Sequence, residues 1–430
     1  MEKREFFSTF FRILDDLAVN DGECHLSVKD KYEYNFDNGE INLLRTSREF
    51  RVNIAIIVDH RKASVMINKV DEISIKDAVL DAIKTCETVE SDCCYKIAPH
   101  QGEFYFYKGE KEPDLDKMYD VLDVFCQSIT KEYPKYNILQ ANFLYNYEEI
   151  TYGNTNGTYI DSSRSFYENL FWGSAKEGDK TTSSNFSPLA TSNIDVPLLD
   201  QGDARFVIEN SIKELESKPL NESFIGDIIV VPFELLNFLQ CYSSKFLMDG
   251  SIISKSSRLI DKLDTKVMSD KITWRTLVDD EQMAGPMMIT SDGFVARDLT
   301  IVDEGVLKSF RLTYYAASKS GFIPELNDGY NIEVLPGDKS LNQIISETKK
   351  GIIVGRSSGG TPSANGDFNF VAKNSFYVED GVIKYPLTDV MFSGNLYEMF
   401  NEAEEVSAER VNNGFINFPY VKFNNINITG

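Results

Sequence analysis

The sequence predicts an α+β protein: N-terminal α/β units with helices packed on antiparallel sheet, followed by a strand-rich C-terminal domain. Three observations lead there. In roughly the first half, apolar residues recur at helical spacing in separate stretches, with period-two runs between them. From about Gly226 the texture changes to many short strands with Gly-containing turns. A chain of 430 residues is also too long for one ordinary core. The expected division is residues 1–220, in two units of about 1–92 and 113–220, and residues 221–430.

Taken in order, Phe6, Phe7, Phe10, Phe11, Leu14 and Leu17 form the stripe of an amphipathic helix. "CHLSVKDKYEYNF" reads as a strand ending at an Asn38-Gly39 hairpin turn. "FRVNIAIIVD" puts Val52, Ile54, Ile56 and Val58 on one face, and "KASVMIN" returns beside it. Ser74, with Asp77, is expected to open a helix running to about Glu90. "YKIAPHQGEFYFYKGEKEPD" lacks periodicity and suits a linker. A helix over 115–131 follows, then three strands joined by "GNTNG" and "DSS" turns. "EGDKTTSSNFSPLATSNIDVP" is expected to be a surface loop, and a helix over 204–217 closes the unit.

Further on, two strand pairs turn at Asp303-Glu304-Gly305 and at Glu379-Asp380-Gly381. Ser340 and Gln343 form a capping box for a helix expected to end at Gly351, before the strand "GIIVG". The stretch "VVPFELLNFLQCYSS" joins the end of a buried strand to a helix. On that helix Phe233, Leu236, Leu239 and Phe246 line one side, and Leu235, Phe238 and Tyr242 the next. Glu234, Asn237 and Cys241 form its only polar stripe, so the residues alone describe a core helix with a narrow solvent edge.

Composition narrows the chemistry. A net charge of −23 without a Lys/Arg cluster argues against direct contact with DNA or RNA. No stretch reaches the apolar length of a membrane span, and the N-terminus lacks the pattern of a signal peptide, so a cytoplasmic protein is expected. The six cysteines fall in no CxxC pair, which suits reduced thiols; the vicinal pair Cys93-Cys94 is the one arrangement capable in principle of holding a soft metal. His25, His60 and His100 are the only histidines, none spaced as a ligand pair, and Cys241 is the only cysteine after Cys126. An ordinary His/Cys zinc site therefore cannot be assembled in the C-terminal half. No base stands near Cys241 in sequence. "GRSSGG" at 355–360 is a weak anion-cradle motif, lacking the Lys and Ser/Thr of a phosphate loop. The pairs Asp279-Asp280 and Glu404-Glu405 are expected to be solvated.

"DDEQMAGPMMITSDGFVARDLTIVDEGVLKSFRLTYYAASKSG" and then "PGDKS", "KKGIIV", "GDF", "VEDGVIKYP" and "SGN" stand in an order and spacing that resemble the TldD/PmbA family. These are the proteins historically called modulators of DNA gyrase and later recognised as peptidase subunits. The resemblance also covers "DNGEI" and "NTNG" in the N-terminal units and is most specific over 335–395. One kind of subunit in this family carries an H-E-x-x-x-H helix after a strand and a Cys near the C-terminus, which together hold a catalytic metal. The other, PmbA or TldE, lacks that set and pairs with the first. "PFELLNFLQCY" occupies the position of the metal helix, which puts Asn237 at the first His, Phe238 at the Glu and Tyr242 at the second His. The tail "ERVNNGFINFPYVKFNNINITG" contains no Cys.

The resemblance therefore implies a non-catalytic, PmbA/TldE-like subunit of a cytoplasmic metallopeptidase, with no cofactor of its own. Its implied partner is a metal-binding TldD-like paralogue, and its implied substrates are unfolded proteins or peptides. Two alternatives stand beside it. One is an enzyme of another kind using Glu234, Asn237 and Cys241. The other is a peptide-binding or chaperone-like homodimer that presents open strand edges.

Overall fold

The computed structural model describes residues 2–430, and two large sheets organise them. Helix α1 (Lys3–Asp16) buries Phe6, Phe7, Phe10, Ile13 and Leu14, the stripe expected from its spacing. Strands β1 (Asp21–Asp37) and β2 (Glu40–Val58) form a long hairpin whose two-residue turn places Asn38 and Gly39 at φ of 54° and 88°. Strand β3 (Arg61–Ile67), helix α2 (Glu72–Cys86), strand β4 (Glu103–Tyr107) and helix α3 (Leu115–Glu132) follow. Then come β5 (Tyr136–Asn154), β6 (Tyr159–Glu177), the short β7 (Lys180–Thr181), β8 (Asn185–Thr191) and helix α4 (Ala204–Lys213). The first sheet has the order β3-β2-β1-β5-β6-β4, with β7 and β8 also on β6; only the β4–β6 pair is parallel.

The second sheet is built around one long strand. Its elements are β9 (Ser223–Val230), α5 (Pro232–Phe246), α6 (Asp249–Ile253), β10 (Trp274–Leu277), β11 (Leu299–Asp303), β12 (Val306–Leu307), α7 (Tyr314–Ser320) and β13 (Asn331–Val334). After them run α8 (Leu341–Ser346), β14 (Lys350–Val354), β15 (Arg356–Gly359), β16 (Asp367–Lys373), β17 (Ser375–Glu379) and β18 (Val382–Leu387). The chain closes with β19 (Val390–Asn395), α9 (Leu396–Asn401), β20 (Ala403–Asn412) and β21 (Ile416–Thr429). The order is β12-β11-β10-β13-β21-β9-β14-β17-β18, and β19 and β20 also pair with β21. Strand β21 thus touches four neighbours, and its residues Phe418, Val421, Phe423, Ile426 and Ile428 lie in the largest apolar core. Among the described residues no helix is long and apolar enough to cross a membrane.

Several expectations need correction. Helix α2 starts earlier than Ser74: Asp71 is the N-cap, its Oδ1 accepting from Ser74 N–H at 2.9 Å, and the helix ends at Cys86 rather than near Glu90. The supposed linker contains β4, because its alternating aromatics pair along β6. "DSS" is no turn, and the three expected strands are two. Within β6 the Asp161 carboxylate accepts from Lys3 Nζ at 2.7 Å, Thr151 Oγ1 at 3.0 Å and Tyr107 OH at 2.9 Å, so partners within the fold take up its hydrogen-bonding capacity. The polar stretch after it is largely ordered as β7 and β8, with Asn185 Nδ2 donating to Ser211 Oγ at 2.9 Å and Glu214 Oε2 at 3.0 Å. Helix α8 has both halves of its capping box but stops at Ser346. Gly351 belongs to β14, where a side-chain carbon would stand 2.3 Å from the Asp227 carbonyl oxygen.

Candidate functional site

Helix α5 begins where β9 leaves the sheet, with Pro232 in its first turn, where no intrahelical N–H is needed. Leu235, Phe238, Leu239, Tyr242 and Phe246 are all buried in the largest core. Phe238 is fully enclosed by three aromatic rings, with centroids at 5.8 Å (Phe368), 5.8 Å (Phe370) and 6.3 Å (Phe392). Tyr242 packs edge-on against Phe246 and Phe400, and its hydroxyl donates to the Val267 carbonyl at 3.3 Å. Burial pushes that phenol above its ordinary range.

The polar stripe is not the solvent edge that the helical wheel suggests. Glu234 is only 3% exposed. Its Oε1 accepts from Asn237 Nδ2 at 3.0 Å and from the Ser357 hydroxyl, while Asn237 Nδ2 also reaches Ser357 Oγ at 3.1 Å. Burial raises the Glu234 carboxyl above its usual range, and the Ser357 and Asn237 hydrogen bonds offset part of that rise. Cys241 is half-buried, and burial followed by the Glu234 charge holds its thiol up, the opposite of an activated nucleophile.

"GRSSGG" therefore has a different use from the one its glycines suggest. Residues 356–359 are strand β15, which supplies Ser357 to Glu234. The role of Ser357 was not legible beforehand, because nothing local links it to a residue 123 positions away. The pairs expected to be solvated are also engaged: Asp279 with Lys108, Glu405 with Lys271 and Lys339, and Glu404 with Lys422.

Beyond the far end of α5 lies a cavity of about 620 Å3 lined by Asp249, Asp292, Arg311, Glu325 and Asp328 among others. Arg311 Nε donates to Glu325 Oε1 at 3.1 Å, yet burial lifts that carboxyl to about 7. Sequence reading missed this cavity, since its residues come from four separate segments.

Helix α5 does not offer a metal centre. It presents a carboxamide, a phenyl ring and a phenol, two of them in an apolar core, and this set does not fit a catalytic metal. The one carboxylate on α5, Glu234, is buried and accepts from Ser357 and Asn237. The histidines lie elsewhere. His25 is in β1 with its ring 4.7 Å from that of Tyr152 and its basicity lowered to about 4, first by burial and then by Lys62. His60 and His100 are exposed.

Comparisons with known proteins place this strand-to-helix unit among PmbA/TldD-like domains. Residues 227–430 match the model of the PmbA/TldA metallopeptidase C-terminal domain. This C-terminal part of the chain is similar to the TldD/PmbA family. The chain is 30% identical over 179 residues to a protein named "Metalloprotease" from Methanothermobacter thermautotrophicus, an alignment covering 38% of this chain and 39% of that one. A "Metalloprotease PmbA homolog" from Haemophilus influenzae is 23% identical over 388 residues, 84% of this chain and 81% of the relative. In fold it resembles TldE from Thermococcus kodakarensis, with a TM-score of 0.83 at 18% identity over 99% of this chain and all of that one.

Proposed function

We propose that this chain is a non-catalytic, PmbA/TldE-like subunit of a cytoplasmic metallopeptidase, acting on unfolded proteins or peptides beside a metal-binding TldD-like paralogue. The observation that supports this most is the filling of α5. Phe238 stands where the resemblance expects the general base, and a phenyl ring cannot take a proton from an attacking water. Asn237 and Tyr242 stand at the two ligand positions, tied respectively to Glu234 and to the Val267 carbonyl. No cysteine follows Cys241. On this reading residues 221–430 form the domain that carries the degenerate helix, and the chain contributes walls and positioning to a shared chamber. Affinity purification from the native cell tests it: a metal-binding paralogue should copurify in fixed ratio, and a chain that comes down only with itself argues against it.

A second reading, a peptide-binding homodimer, has one observation in its favour. Strand β3 pairs with β2 only over Val52–Val58, so the outer part of β2 meets β1 on one side and is open on the other. Leu43 and Leu44 are exposed along that stretch. Size-exclusion chromatography with and without the co-expressed paralogue separates the two readings.

A further inference from the structure

Four of the described segments bring chemistry together on the flank where the first sheet meets helix α7. Residues 92–95 form a tight turn, closed by Tyr95 N–H donating to the Asp92 carbonyl at 3.1 Å. Cys93 and Cys94 occupy its two central positions, the first exposed and the second half-buried. Neither belongs to an apolar core, whereas Cys24, Cys86 and Cys126 do. Among the described residues, one group of three His, Cys, Asp or Glu side chains brings its ligand atoms within 4.8 Å of one another, and it is Asp92, Cys93 and Cys94.

An open cavity adjoins this turn. The turn at His60 is fastened to the cysteine turn by Asp92 N–H donating to the His60 carbonyl at 2.7 Å. His60, His100, Asp59 and Cys93 line one open cavity of about 740 Å3. Two sulfurs and a carboxylate are donor types of a site for a thiophilic divalent cation, with solvent from that open cavity completing the coordination.

We propose that Cys93 and Cys94, with Asp92, form a binding site for a thiophilic divalent cation such as Cd2+ or Zn2+. On binding, each thiol gives up its proton to solvent and its sulfur forms a bond to the cation; no oxidant or reductant takes part. The site is separate from α5 and from the proposed peptidase role. It does have structural neighbours: Asp92 Oδ1 accepts from Cys94 N–H at 3.0 Å, Oδ2 accepts from Lys319 Nζ at 2.5 Å and Tyr315 OH at 2.8 Å, and Tyr95 stacks on Tyr315 at 4.6 Å. A cation beside Asp92 therefore shares that carboxylate with the Lys319 ammonium. Removing the ammonium should tighten binding.

Titration of the reduced full-length chain with Cd2+, followed by the ultraviolet sulfur-to-cadmium charge-transfer band, tests the site. The expected result is one Cd2+ per chain, with the band lost in the Cys93→Ser/Cys94→Ser variant. Lys319→Ala should strengthen binding. All variants should keep the wild-type thermal transition in the absence of Cd2+. An undiminished band in the double serine variant, or no saturable binding by the wild-type chain, overturns the proposal.

Discussion

At the residue scale, Phe238 and Glu234 show how one helix can satisfy two demands. Phe238 fills a space between three rings, so Phe238→Ala should cost about 3–5 kcal/mol, read from urea or guanidinium unfolding. A loss within a few tenths of a kcal/mol would mean that the ring does not hold the core. Glu234 is buried with its charge, and its raised folded-state carboxyl value sets the sign: its contribution is present when protonated and fades as pH rises through that value. Glu234→Gln retains an oxygen for Ser357 and Asn237 without the charge, and should equal or exceed the wild type in stability near neutral pH. Glu234→Ala strands both donors and should lose about 1–3 kcal/mol. Phe238 as core could be read from its wheel position, but Glu234 could not. A wheel assigns a face, and only the long-range arrival of β15 decides whether that face meets solvent.

At the element scale, helices and hairpins were the more legible parts. The stripe of α1, the Asn38-Gly39 turn and the Ser340–Gln343 capping box are local devices whose chemistry acts within a few residues. Elements that depend on a distant partner were misread. Strand β4 is recognisable only through its parallel contact with β6, and β8, within a Ser- and Thr-rich stretch, only through its pairing with β6 and its hydrogen bonds to α4 and the residues after it. Gly351 belongs to the same category. It was read as a helix terminator, but its lack of a side chain serves the approach of β14 to β9, where Ile352 and Ile353 pair with Ile228 and Ile229. Gly351→Ala places a carbon against the Asp227 carbonyl and should destabilise by about 1–3 kcal/mol in chemical denaturation. A neutral result would show that the β9–β14 pair can open without cost. This pairing matters for the site because α5 hangs from the end of β9.

At the scale of the whole molecule, charge dominates. The chain carries −23, and burial raises two carboxyls well above their ordinary range: Asp203 to about 6, opposed by the Ser187 hydrogen bond, and Glu325 to about 7, opposed by Arg311. Groups raised in the folded state stabilise fully below their unfolded values and lose that contribution as pH rises through the folded ones. Stability should therefore fall as pH rises from about 4 to about 7, and the thermal midpoint near pH 5 should exceed that near pH 8. Asp203→Asn should flatten the dependence; a midpoint that rises with pH would contradict the assignment. The family resemblance was legible from motifs that sit in turns and caps, whereas the acidic cavity beyond α5 was not, its carboxylates being assembled only by the fold. The central claim concerns α5, and the most direct measurement is cleavage of an unfolded protein substrate by the Cys93→Ser/Cys94→Ser chain, alone and with its metal-binding paralogue, with metal content determined in parallel. The account predicts no metal-dependent cleavage by the chain alone, and cleavage in the pair that disappears when the paralogue's metal-binding histidines are replaced. Metal-dependent cleavage by the chain alone, with one tightly held ion per chain, would contradict it.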